Sequence, residues 1–155
     1  MNPSSPAFRV LDLVADAFDP ALTLFAMAVP KLRGSWRGGL AATRYVLAAL
    51  AGLAVVYGVQ ALDDRFGLWR VMALDYSTHT AYAASLATSI ACWDRRWTWA
   101  MVVSVCGYAA LILALGYHGP YDLLTAVAVT VPSTWALQRL VGPRGSEPRG
   151  PGPPS

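Results

Sequence analysis

Apolar residues run through this chain in four long stretches, each long enough to form a helix of about a bilayer's span. They extend from Tyr45 to Leu62, Ser77 to Trp93, Trp97 to Leu115 and Leu123 to Leu140. Polar interruptions separate them: Asp63, Asp64, Arg65, Arg70 and Asp75 in the segment 63–76, Asp94-Arg95-Arg96, and then Tyr117-His118-Gly119-Pro120-Tyr121-Asp122. Ala48 with Gly52, and Ala54 with Gly58, put small side chains at helical spacing where another helix can approach closely.

The N-terminal stretch has a different pattern. Phe8, Leu11, Val14, Ala15 and Phe18 share one helical face, and Asp12, Asp16 and Asp19 fall on another. Asp19-Pro20 reads as a cap followed by proline at the first helical position. A second helix from Pro20 to Val29 would be about 15 Å long, half a bilayer. Residues 8–29 are therefore expected as an interfacial helix plus a half-inserted one, or as one kinked span. Ala26-Met27-Ala28 imitates a signal-peptide cleavage site, but acidic residues precede it where a basic region belongs. Lys31, Arg33, Arg37 and Arg44 mark 31–44 as a basic linker, and the Gly-, Pro- and Arg-rich tail after Leu140 is expected to be disordered. The chain thus divides into an N-terminal helical segment and linker (1–44), a transmembrane bundle (45–140) and a tail (141–155).

Composition agrees with this all-α, polytopic membrane reading: 55% hydrophobic, 14% charged, mean hydropathy +0.42 over 155 residues. The net charge of +3 is spread too thinly for a nucleic-acid surface. Cys92 and Cys106 lie in apolar stretches as expected buried thiols, without metal-ligand or CxxC spacing. The distribution of charge adds an orientation. Nine Lys and Arg residues (31, 33, 37, 44, 95, 96, 139, 144, 149) fall on one side and only Arg65 and Arg70 on the other, with Arg9 left out because the sequence does not fix its side. By the positive-inside rule the 63–76 and 117–122 segments face outward, the periplasm or exterior if the membrane is a bacterial inner membrane.

Both histidines of the chain, His79 and His118, fall on that outward side, at adjoining ends of an antiparallel hairpin. Titratable groups at such depth mark function by default. An imidazole can attack phosphorus when a carboxylate holds its other ring nitrogen, and His118 and Asp122 are four residues apart. If the fourth helix reached back to His118 the pair would share a face; Pro120, suited to a first turn, leaves that open. His79 can protonate a leaving oxygen. Ser77 is placed to cap its helix, whose first turn would offer N–H groups to an anion.

Tyr76-Ser77-Thr78-His79 and His118-x3-Asp122 resemble two motif segments of the type 2 phosphatidic acid phosphatase superfamily: Pro-Ser-Gly-His, and Ser-Arg-x5-His-x3-Asp. The resemblance implies a histidine nucleophile at His118, oriented by Asp122, with His79 assisting the leaving group. It departs from the family at Leu111 and Ile112, which replace the serine and arginine, and at Tyr76 and Thr78, which replace proline and glycine. No Lys-x6-Arg-Pro segment occurs, so Arg65 and Arg70 are the candidate phosphate ligands. Ser77, His79, Thr80, His118 and Asp122 are also similar to the pattern of sphingomyelin synthases, which lack the basic clamp.

The expected activity is lipid phosphatase or phospho-headgroup transfer through a phosphohistidine, without metal or cofactor. His118, Asp122 and His79 would be catalytic, with Ser77, Thr78, Thr80, Arg65 and Arg70 binding a lipid phosphate or phospholipid. The bilayer is the expected surroundings, nucleic acid is not expected, and a homo-oligomer is left open. The alternative from another class is a non-enzymatic lipid-binding or lipid-moving relative with a degenerate site. The carboxylates of Asp12, Asp16 and Asp19 lack the glycine and Ala-Arg frame of the CDP-alcohol phosphotransferases.

Overall fold

A computed structural model describes residues 5–32 and 39–142. The basic linker in part, and the tail beyond Gly142, lie outside the described residues. Within them the chain is all-helical: α1 (Pro6–Ala28), α2 (Gly39–Phe66), α3 (Thr78–Trp93), α4 (Thr98–Leu115) and α5 (Pro120–Leu140), joined through short 3-10 turns at 29–31, 70–72 and 95–97. α2 and the segment Arg95–Leu115 are long and apolar enough to cross a membrane.

α3 is the centre. It packs against α1, α2, α4 and α5, and ten of its sixteen residues are buried. Its sequence explains this, since Ala81, Ala83, Ala84, Ser85, Ala87 and Ser89 are small enough to let neighbouring backbones approach on every side. The closest approach is at Gly52 of α2, where a Cβ would come within 2.7 Å of Ser85 Oγ and 3.1 Å of Thr134. The Ser85 and Thr134 hydroxyls hydrogen-bond at 3.0 Å, each satisfying the other away from water.

α1 is a single helix of 23 residues with Pro20 inside it. Of the two forms expected for residues 8–29, the single span is the one present, with no break at Asp19-Pro20. The Thr23 hydroxyl donates to the carbonyl of Asp19 at 2.7 Å, giving that turn a polar contact next to the proline. The apolar face read from the sequence points inward except at Val14, which is exposed, and aromatic pairs set its register: Phe8 against Tyr117, Phe18 stacked on Tyr108 at 4.2 Å, and Phe25 against Trp97. α1 therefore runs antiparallel to α4. The Tyr45 hydroxyl donates to the carbonyl of Ala26 at 3.1 Å and its ring packs on Trp93, joining α1, α2 and α3 at one end. That end carries Arg95, Arg96 and Arg139; the opposite end carries both histidines.

At the histidine end a smaller apolar cluster of Val56, Trp69, Tyr76, Ala81 and Ala126 supports the segment between α2 and α3. Gly67, at φ +64°, turns the chain out of α2 in a conformation glycine adopts without a Cβ penalty. Asp63 accepts from the Trp69 N–H at 2.7 Å, and the Trp69 indole N–H donates to Thr125 Oγ1 at 2.8 Å. The loop is thereby tied to α5. Large apolar side chains remain exposed along the helices, among them Leu13, Leu24, Leu47, Leu50, Val103 and Leu124.

Candidate functional site

The turn between α4 and α5 places His118 outside either helix. Gly116, at φ +77°, closes α4, and Gly119 is the N-cap of α5, which begins at Pro120. The helix does not reach back to His118, because Pro120 occupies its first position. Asp122 nonetheless comes close to His118 by folding back. As the third residue of α5, its Oδ2 accepts from the Gly119 N–H at 2.7 Å, and its Oδ1 accepts from the Asp75 N–H at 2.9 Å. One carboxylate caps α5 and anchors the residues that lead into α3.

His118 is largely buried, its side chain 15% exposed, and its Nδ1 stands 3.5 Å from Asp75 Oδ2 and 3.9 Å from Asp122 Oδ2. These are ion-pair distances without hydrogen-bond geometry, and Nδ1 has no hydrogen-bond partner among the described residues. His79, by contrast, is 69% exposed, and its Nδ1 meets Asp19 Oδ2 of α1 at 3.0 Å. Each imidazole thus turns Nδ1 toward a carboxylate, and neither Nε2 makes a hydrogen bond among the described residues.

The 117–122 turn and the start of α3 each contact α1. Tyr117 hydrogen-bonds Asp12, whereas His79 bonds Asp19, seven residues further along the same helix. Those two positions on α1 are roughly 10 Å apart at the helical rise per residue. The Asp12 carboxylate beside Tyr117 holds its phenol above the usual tyrosine range. A raised folded-state value means that this contact favours the fold below the ordinary tyrosine range and is lost as the phenol ionises. In a phenolate absorbance titration, Asp12→Asn should therefore move one tyrosine back toward the ordinary range; an unchanged curve would refute the contact.

The expected ligand-binding residues do not gather around the histidines. Ser77 and Thr80 are fully buried, and the Ser77 hydroxyl donates to Thr80 Oγ1 at 2.9 Å instead of capping α3. Thr78 is half-buried and donates to Gln60 of α2. Arg65 and Arg70 share a shallow depression with Asp64, Phe66, Gly67 and Val71, lined by neither histidine. Ile112, where the family motif has arginine, is part of the main core. A cation there would be buried among apolar side chains.

Asp19 and Asp75 are the residues that sequence reasoning missed as partners of His79 and His118. The i, i+4, i+7 spacing of Asp12, Asp16 and Asp19 marks a polar face, but which neighbour that face meets is a tertiary fact. No group of three or more His, Cys, Asp or Glu side chains suited to a metal ion occurs among the described residues. No family model, no curated protein and no solved structure matches the chain.

Proposed function

We propose that the protein is a polytopic membrane enzyme, with α2 to α5 crossing the bilayer beside α1, that transfers the phosphoryl or phospho-headgroup of a lipid through His118. The observation that carries this reading is the orientation of both imidazoles, Nδ1 toward a carboxylate and Nε2 free. A carboxylate at Nδ1 stabilises the positive charge that develops as Nε2 bonds to phosphorus. His79, at the same end of the bundle with its Nδ1 held by Asp19, is the group assigned to protonate the leaving oxygen. Water or a lipid alcohol then takes the phospho group from His118, giving a phosphatase or a transferase.

The charge around the histidines narrows the substrate. Asp19 stands beside His79, Asp75 and Asp122 beside His118, and Arg65 and Arg70 line a depression that includes neither histidine. A dianionic phosphomonoester would meet repulsion without a clamp. A zwitterionic phosphodiester lipid brings its own cation and fits better. The basic residues at the opposite end support an orientation with the histidines on the periplasmic or outer face.

A second reading, a lipid-binding or lipid-moving protein without catalysis, is favoured by the same missing clamp. Incubation with labelled zwitterionic phospholipids in micelles separates the two. The enzyme reading expects an acid-labile adduct on His118, absent in His118→Ala, and release or exchange of headgroup. Lipid binding with neither adduct nor turnover across the panel would leave only the second reading.

A further inference from the structure

At the end of the bundle away from the histidines, α4 and α5 both pack on α3 without packing closely on each other. Between them lies a groove of about 970 Å³, near the upper end of the usual range for small-molecule sites. Ala84, Ala87 and Ala91 of α3 form its floor. Val102 and Val105 of α4 make one wall, and Val127 and Val131 of α5 the other. The body of the groove is therefore apolar and narrow-sided, and it opens where lipid tails would be.

Its mouth is different. Arg95 and Arg139 border it, and neither has a carboxylate partner among the described residues. The adjacent Arg96, by comparison, pairs with Asp94 at 2.7 Å and does not line the groove. Arg139 is stacked over Trp135 at 4.9 Å, which holds its guanidinium at the rim. Gln138 also lines the groove. It is only 7% exposed, and its amide nitrogen is buried without a hydrogen-bond partner among the described residues. Two guanidinium groups and an unmatched donor at one end of an apolar slot are complementary to an anionic amphiphile.

We infer that this groove is a binding site for an anionic phospholipid, with an acyl chain along α3 and the headgroup phosphate between Arg95 and Arg139, accepting from Gln138. The inference depends on the membrane reading but not on the histidine chemistry, so His118→Ala should leave it untouched. Cys92 and Cys106, the chain's only cysteines, line the groove and report on its occupancy. Contrary to the expectation of buried thiols, both are exposed and free.

The test uses the full chain in nonionic detergent, titrated with phosphatidylglycerol or phosphatidylcholine of identical chains. Native mass spectrometry should show at least tenfold tighter retention of phosphatidylglycerol, lost in the Arg95→Gln, Arg139→Gln double variant and kept in Arg96→Gln. Should the double variant fold poorly, maleimide labelling of the wild type still decides. Phosphatidylglycerol should slow it about tenfold, and inorganic phosphate should not. Equal retention of the two lipids, protection by phosphate alone, or a stable dimer that excludes lipid and protects the thiols would overturn the assignment.

Discussion

Asp122→Ala is expected to lower stability by about 3 kcal/mol and to abolish any activity that depends on His118. The stability estimate follows from two bonds. Hydrogen bonds to a charged acceptor contribute about 1.5–3 kcal/mol each, and Asp122 makes two, to the N–H groups of Gly119 and Asp75. The effects will fall short of additive, because water can reach freed N–H groups at a side chain that is 12% exposed. For a chain of this size the loss corresponds to a fall of roughly 10 °C in the unfolding transition. Asparagine should be little better. The two bonds use different oxygens, and one would be replaced by an amide NH2 facing a backbone N–H. Thermal unfolding in detergent checks this; an Asn variant as stable as wild type would show that the carboxylate does not hold both N–H groups.

Gly52→Leu should be comparably damaging. The first added carbon would already fall 2.7 Å from Ser85 Oγ and 3.1 Å from Thr134, before the rest of the side chain is placed. Overpacking of this kind costs about 1–3 kcal/mol or more. Loss of the Ser85–Thr134 bond adds about 1 kcal/mol, and the better helix propensity of leucine returns only about 0.8 kcal/mol. The clash dominates, and α2 should separate from α3 and α5. Gly52→Ala is the informative companion. Its single methyl meets chiefly the Ser85 hydroxyl, so the Gly52→Ala, Ser85→Ala double variant should recover stability beyond the sum of the single changes. Chemical unfolding of the four proteins measures that coupling. Full stability in Gly52→Leu would mean that the three helices do not meet as described.

The helices were legible in the sequence because an apolar run bounded by charge admits few other forms. The stretch Ser77 to Trp93 became α3 (Thr78–Trp93), and Trp97 to Leu115 became α4 (Thr98–Leu115). Pro20 left two forms open for a physical reason: its local signature of cap and proline is the same whether a helix starts there or a packed helix continues through it. A shared helical face for His118 and Asp122 was left open by Pro120; the helix stops short of His118, and a cap folding back over Gly119 brings the two together instead. Asp19 and Asp75 required the packing of α1 and of the 67–77 loop, which no local pattern encodes. The same holds for Ser77 and Thr80, polar residues in a suggestive motif that turn inward to each other.

The central position of α3 has a consequence for how the chain is made. Its buried Ser85 hydroxyl finds its partner in Thr134, forty-nine residues later. A ribosome therefore delivers the middle helix well before the last one that completes its surroundings. Until α5 arrives, α3 must wait with polar groups uncovered, held by neighbours that are themselves incomplete. Assembly of this protein is a problem of timing as much as of affinity, and its final helix acts as the keystone.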